Sequence, residues 1–400
     1  MQRPHRPARR SHLPWTLLAV FGGVLAVAAG TLLMVPGGST PASDPGVLSV
    51  SEECQQALGY AARTDADRAW LQACVHALNV PTGEPTPTLP PPPSSSPTPA
   101  PTTTQPTPTS TSTRPSGPCP VAGKNVPGAA DPWGGCWPGP GNTGVPANVA
   151  LAVYTGPCTI TTAGTVIDSK KVTCATLSIQ AANVVIRNSL LQGTDVNNSG
   201  AGSGSSFTIT DSTVVNGARE SCMCIGDHNF TAIRVEVKGG NRSMYCASNC
   251  TVQDSWLHAQ QLQGSQHGSG LREEQGTKAT HNVLVCDFPI TDDATTLGCS
   301  SDLTGYPDFA PIKNNTIKRN LLLASKTVSF CSYGGATTGK PYSNDPTNAT
   351  YQVFVENVYQ RGTSGRCGPY GAVTSFAAGR TGNVWQGNMW DDGAAVAAAN

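Results

Sequence analysis

The chain has 400 residues and carries 25 Lys and Arg against 25 Asp and Glu, so its formal net charge is zero. A protein that neutralises nucleic-acid phosphates needs a basic excess, and the composition therefore excludes a nucleic-acid-binding protein. Glycine, proline and charge are spread unevenly along the sequence, which predicts several segments of different character.

The N-terminus reads as a membrane anchor. Residues 1–12 form a basic tail, and residues 13–35 are apolar and uncharged. A run of this length spans a bilayer core of about 30 Å, and the arginines before it would stay in the cytoplasm. The competing interpretation is a signal peptide that is cleaved after the small residues 26–28. Either way, the rest of the chain is predicted to be extracytoplasmic, with residues 13–35 in contact with the membrane.

Two segments separate this apolar run from the main body. Residues 45–80 have apolar residues at helical spacing and predict a small α-hairpin, stapled by Cys54 and Cys74. Residues 81–117 are nearly all Pro, Thr and Ser, so they predict a disordered or polyproline linker that reaches on the order of 100 Å.

Fourteen cysteines in an exported chain predict disulfides. A metal site at Cys222, Cys224, Asp227 and His228 is the less favoured interpretation, so no metal is predicted there. The near-neighbour pairs are Cys54 with Cys74, Cys119 with Cys136, Cys158 with Cys174, Cys286 with Cys299, and Cys331 with Cys367. The pairing among Cys222, Cys224, Cys246 and Cys250 stays open.

The head, residues 118–400, shows a repeated β pattern. The segments VVIRNSLLQG, FTITDSTVVNG, FTAIRVEVKGG and CTVQDSWLHAQ share one register, with spacings of 23, 23 and 20 residues. A repeat of this length predicts a stacked solenoid with Asn or Asp in left-handed turns. The aligned turn residues are Asn188, Asp211, Arg234 and Asp254, and later copies lie around Asn320, Asn357 and Asn388.

These N-S-L and D-S-T turns after V/I-x-V/I strands resemble the right-handed parallel β-helix, pectin-lyase-like superfamily over about residues 150–400. The resemblance implies an all-β, single-stranded solenoid. It also implies that the head recognises an extracellular polysaccharide or cell wall and cleaves it as a lyase or glycoside hydrolase. The alternative is a non-catalytic, wall-associated structural or adhesion module, because the fold does not select a function.

The stretch SQHGSGLREEQGTKATHNVLVC, residues 265–286, concentrates charge in a chain with 12% charged residues. It predicts His267, Arg272 and Glu273 as catalytic residues. In a strand, at most one of Glu273 and Glu274 faces a groove. The stretch is similar to an H-x-D-G-I-Q turn of exported β-helix proteins, but Ser269 replaces the aspartate, which favours binding over hydrolysis.

Long insertions within residues 254–357 predict loops that form the walls of a groove. Sugar rings stack on aromatic faces, and carboxylates and cations hold their polar groups. No cofactor is predicted; the resemblance to pectate lyases implies calcium on the aspartates of residues 287–308 as the alternative. The predicted substrate-binding residues are Trp256, Lys278, Asp292, Asp293, Tyr306, Tyr333 and Tyr342.

Overall fold

A computed structural model describes residues 118–217, 223–262, 267–288 and 298–399. They fall within one compact unit, Ser110–Asn400. The predicted tail, anchor, α-hairpin and linker lie outside the described residues, as do Cys54, Cys74, Asp292 and Asp293. Within the described ranges, no helix has the length and apolarity needed to cross a membrane.

The described chain is all-β, and its strands are short. In chain order they are β1 (Ala152–Val153), β2 (Thr159–Ile160), β3 (Val166–Asp168), β4 (Lys170–Val172), β5 (Thr176–Ile179), β6 (Val184–Arg187), β7 (Leu190–Gln192), β8 (Asp195–Asn197), β9 (Phe207–Thr210), β10 (Thr213–Val215), β11 (Met223–Ile225), β12 (Phe230–Ile233), β13 (Glu236–Lys238), β14 (Arg242–Ser248), β15 (Thr251–Gln253), β16 (Trp256–His258), β17 (His267–Gln275), β18 (Lys278–Thr280), β19 (Val283–Leu284), β20 (Gly298–Thr304), β21 (Lys313–Lys318), β22 (Leu321–Leu322), β23 (Phe330–Tyr333), β24 (Thr350–Val355), β25 (Val358–Tyr359), β26 (Gly371–Thr374), β27 (Val384–Gln386) and β28 (Met389–Trp390).

Each strand pairs in parallel with the strand three places later, which builds three ladders. Ladder A runs from β1 through β4 to β28, ladder B from β2 through β5 to β26, and ladder C from β3 through β6 to β27. Ladders B and C belong to one sheet, because Gln275 of β17 also pairs with Lys313 of β21. This stacking is compatible with a β-helix, in which each turn buries its apolar side chains only against its neighbours.

The turn between ladders C and A has the predicted left-handed residues in its first four copies. In the later copies the left-handed residue is one place earlier than predicted. Asn188, Asp211, Arg234 and Asp254 all have positive φ, from 47 to 53°. In the later turns that position is taken by His281, Arg319 and Glu356. The residues around which the repeat was aligned, Asn320, Asn357 and Asn388, lie one place further on and are buried.

These buried asparagines bond to one another. The Nδ2 of Asn320 donates to Oδ1 of Asn357 at 3.0 Å, and the Nδ2 of Asn357 donates to Oδ1 of Asn388 at 2.9 Å. In earlier turns the same place holds serine, and the hydroxyl of Ser212 accepts the backbone N–H of Ser189 at 3.1 Å. A polar side chain is needed at this position because it bonds backbone groups that would otherwise be buried without a partner.

Residues 118–149, here named the strap, lie along the outer face of ladder A. Asn125 donates to the carbonyl of Asp391 at 3.0 Å, and the backbone N–H of Val145 donates to Thr213 at 3.1 Å. Between these ends, Trp137 is fully buried and packs with Val283, Leu321 and Val358. The strap therefore covers a second apolar cluster outside the main core.

Four predicted disulfides are confirmed, and a fifth resolves part of the open set. The confirmed bonds are Cys119–Cys136, Cys158–Cys174, Cys286–Cys299 and Cys331–Cys367. In the open set, Cys246 bonds to Cys250, and Cys222 lies outside the described residues. Multiple disulfides indicate an oxidising extracellular environment.

Candidate functional site

Strand β17 separates the two adjacent glutamates of the charged stretch. Leu271 belongs to the main core, and side chains alternate along a strand, so Glu273 shares the core side while Arg272 and Glu274 point to the outer face of ladder B. Glu273 is fully buried, and neither carboxyl oxygen has a hydrogen-bond partner among the described residues. Burial raises the pKa of Glu273 to about 8. The residue predicted to be catalytic is thus placed inside the core, where a polysaccharide cannot reach it.

Arg272 is held by the loop between β20 and β21. Its Nη2 donates to the carbonyl of Tyr306 and to Oδ2 of Asp308, both at 3.1 Å. The ring of Phe309 lies over the guanidinium, with its centroid 4.7 Å from Cζ. Arg272 is consequently only 4% exposed, and its side chain packs beneath the loop between β20 and β21.

The loop between β23 and β24 adds a second cation. Lys340 Nζ lies 3.1 Å from Oδ1 of Asp308 and 4.5 Å from the centroid of the Tyr306 ring. Burial works to raise the pKa of Asp308, but hydrogen bonds from Lys340 and Arg272 outweigh it and lower that pKa. Asp308 therefore stays ionised and ties the two loops to β17.

Glu274 is the carboxyl on this face whose pKa lies near neutrality, and it is 2% exposed. Burial raises the pKa of Glu274 to about 7, against the opposing charge of Arg272 and a hydrogen bond from Tyr245. Its Oε1 lies 3.7 Å from Nε of Arg272. On the neighbouring turn, burial also raises the pKa of Asp227, and the charge of Asp227 adds to the rise at Glu274. A carboxyl poised near neutral pH serves as general acid or base.

A chain of aromatic rings runs beside these charges. The centroids of Tyr306 and Tyr333 are 4.4 Å apart, those of Tyr333 and Phe330 are 5.7 Å apart, and those of Phe330 and Tyr370 are 5.9 Å apart. Phe309 is 60% exposed and Tyr370 is 71% exposed. Exposed rings of this kind provide flat apolar surfaces next to polar groups.

The structure brings together some of the predicted site residues. Arg272, Tyr306 and Tyr333 are in the contacts just described, and Tyr342 joins them through its backbone N–H, which donates to the carbonyl of Pro307 at 3.0 Å. We name Arg272, Glu274, Tyr245, Asp308 and Lys340 the β17 cluster.

Other predicted residues lie elsewhere. Trp256 is on ladder A, where its ring stacks on His258 with centroids 3.6 Å apart. Lys278 is exposed on β18 of ladder C. His267 is exposed at the first position of β17, five residues before Arg272. Among the described residues, no contact joins any of these three side chains to the β17 cluster.

Part of the cluster could have been found from sequence. Alternation from Leu271 selects Glu274 over Glu273. No local signal identifies Tyr245, since its pairing with Arg272 depends on the register between β14 and β17. Within the described residues, the only compact group of metal-ligand donors is Asp302, Cys331 and Cys367, whose two sulfurs are joined in a disulfide. Calcium stays a prediction.

Comparison of the chain with known proteins finds no matching family model, no matching curated protein and no matching solved structure. The candidate site is therefore assigned from its own geometry.

Proposed function

We propose that the head is a right-handed parallel β-helix of the pectin-lyase-like kind and that the outer face of ladder B recognises an extracellular polysaccharide. The three parallel ladders, the left-handed turns and the stack of asparagines support the fold. The disulfides support an extracellular location.

The observation that carries the ligand class is the pair of exposed aromatic rings, Phe309 and Tyr370, near the β17 cluster. Phe309 and Tyr370 offer faces on which sugar rings stack, while the partly exposed Lys340 and Asp308 offer charges to hydroxyl or carboxyl groups. An open surface with both elements suits a long polar chain better than a small apolar ligand.

Cleavage would use Glu274 as the proton donor or acceptor, and it would require this side chain, which is 2% exposed, to become accessible to the substrate. A carboxyl with a pKa of about 7 is half protonated at neutral pH, so it can donate to a leaving oxygen or accept a sugar proton. Arg272 acts through Glu274 by its nearby positive charge, and Tyr245 by its hydrogen bond.

The alternative, a non-catalytic wall-associated module, is favoured by the burial of Arg272. Its Nη2 already bonds Tyr306 and Asp308, and the side chain is nearly inaccessible. In that case the outer face binds glycan without turnover.

The test incubates the full chain with a polysaccharide panel and measures retention, new reducing ends and unsaturated uronides. For an enzyme, we expect Glu274→Gln to lose product release by about 100-fold or more while retention persists. Glu356→Gln, at an ion pair with Arg319 on the turn between ladders C and A, is the matched control and should keep full release. Retention without release supports the alternative. If the chain shows no retention and no release, both functions are contradicted.

A further inference from the structure

A second group of reactive side chains lies on the turns that precede the β17 cluster. Ser205 lies between β8 and β9, and His228 lies between β11 and β12. The Oγ of Ser205 and the Nε2 of His228 are 3.1 Å apart, although 23 residues separate them in sequence. The proposed glycan function uses neither side chain.

Asn198 determines which atom of this pair donates the hydrogen bond and which accepts it. It is fully buried, and its Oδ1 accepts the backbone N–H groups of Asp227 at 2.8 Å and His228 at 3.0 Å. Only the amide oxygen can accept two N–H donors, so the orientation of the amide is determined. Its Nδ2 must then be the donor to the carbonyl of His228 at 2.7 Å and to Oγ of Ser205 at 3.2 Å.

The direction of the serine proton follows. Because Oγ of Ser205 accepts a hydrogen bond from Asn198, its own proton is free to point at Nε2 of His228. A hydroxyl that donates to an imidazole nitrogen at this distance is the arrangement by which a histidine activates a serine nucleophile.

Asp227 precedes His228 in sequence, and its carboxyl interacts electrostatically with the imidazole. Its Oδ1 is buried without a hydrogen-bond partner among the described residues. Burial raises the pKa of Asp227 overall, and the charge of a protonated His228 opposes part of that rise. A positive imidazolium at His228 and an ionised Asp227 therefore stabilise each other, which favours transfer of the serine proton to the ring.

The space around the pair limits what can enter. Ser205 is 4% exposed. A Cβ added at Gly202 or Gly204 would meet no heavy atom within 4 Å, so no side chain crowds the adjacent turn. Because little of Ser205 reaches the surface, a small acyl group is a better candidate than a long chain.

We infer that Ser205 and His228 form a nucleophile and base that hydrolyse small carboxylic esters. The Oγ of Ser205 attacks the ester carbonyl carbon while its proton passes to Nε2 of His228. The carbon–alkoxide bond then breaks, and His228 returns the proton to the leaving alcohol. Water attacks the acyl-serine and gives its proton to His228; the carboxylic acid leaves, and Ser205 regains the proton. Atoms balance with one ester and one water consumed.

The experiment uses the full chain, p-nitrophenyl acetate as substrate and a small fluorophosphonate as covalent label, located by peptide mass spectrometry. We expect turnover above the uncatalysed rate and labelling at Ser205. Ser205→Ala and His228→Gln should each lower turnover by about 100-fold or more. Ser203→Ala, an exposed serine two residues away, is the matched control and should retain full turnover.

Each variant is checked by thermal unfolding, so loss of fold is separated from loss of chemistry. A Ser205→Ala protein that turns over ester as fast as the Ser203→Ala protein overturns the inference. So does labelling confined to other residues, or a folded wild-type chain that neither turns over ester nor takes the label. Because the assay contains no polysaccharide, failure of glycan binding leaves its outcome unaffected.

Discussion

The outer faces of ladders A and B belong to the same coils but are covered in opposite ways. On ladder A, the strap buries Trp137 against Val283, Leu321 and Val358. On ladder B, two loops leave Phe309 60% exposed above a charged cluster. A face covered by apolar packing contributes to stability, whereas a face that keeps aromatic rings in water and a carboxyl near neutral pKa is arranged for a ligand.

The strap adds an ionic contact at the turn between ladders C and A. Both ring nitrogens of His281 donate to carboxylates, Nδ1 to Asp254 at 2.6 Å and Nε2 to Asp131 of the strap at 3.2 Å. Burial works to lower the pKa of His281, but these two hydrogen bonds outweigh it and raise the pKa to about 9. The charged ring also stacks on Trp137, with centroids 5.3 Å apart.

The largest effect is expected from Trp137→Ala. Removing a fully buried tryptophan should lower the free energy of unfolding by about 5 kcal/mol and open the strap to protease. Tyr370→Ala, on the open face, should change it by less than about 0.5 kcal/mol. Denaturant unfolding with the disulfides intact measures both, and equal losses would remove the distinction between the two faces.

Glu273→Gln should stabilise the protein above neutral pH. The pKa of Glu273 is about 8 in the folded chain, above its unfolded value, so folding holds a proton that the unfolded chain releases. The resulting loss of stability grows as pH rises from about 4.5 to 8 and corresponds to about 4 kcal/mol at pH 8. Glutamine removes it and should leave glycan retention unchanged. A variant that is no more stable than wild type at pH 8 would contradict the placement of Glu273 in the core.

His281, at the strap, also makes the stability fall as pH rises, but here the charged form of the side chain stabilises the fold. Its folded pKa lies above the unfolded value, so its contribution is complete below about pH 6.5 and is lost as pH rises through about 9. The loss amounts to about 3 kcal/mol. In His281→Gln this part of the pH dependence should vanish, as measured by denaturant unfolding from pH 6 to 10. An unchanged slope would rule out the imidazolium contact.

Lys340→Ala should have the smallest effect on stability. Its side chain is 34% exposed, and an exposed ion pair with Asp308 contributes about 0.5 kcal/mol. If ladder B is the binding face, glycan retention should nevertheless weaken several-fold. Affinity electrophoresis measures the retention, and thermal unfolding measures the stability. A large loss of stability with intact retention would show that Lys340 serves the fold and not ligand binding.

Much of the fold could be predicted from local sequence. The left-handed turns at Asn188, Asp211 and Asp254 follow from Asn and Asp preceding a short apolar strand, and four disulfides follow from near-neighbour pairing. The one-residue error at Asn320 arose because asparagine suits both the left-handed turn and the buried ladder beside it. Only the stacked structure distinguishes these two environments.

The candidate site was less accessible to sequence reasoning. The glutamates of β17 are adjacent, and their sides are set by the register of the core. Contacts such as His281 with Asp131 join residues 150 positions apart and leave no local pattern. Tyr245 and the strap belong to this class, since long-range packing alone brings them to their partners.

The most direct test of the ligand-binding claim is polysaccharide retention by the double variant Phe309→Ala/Tyr370→Ala. The control is Tyr351→Ala, which removes a 51% exposed ring from ladder C. The account predicts that the double variant loses retention by about tenfold or more, in line with about 1.4 kcal/mol per factor of ten, while Tyr351→Ala binds as wild type. Equal retention by all three proteins would contradict the assignment of ladder B as the binding face.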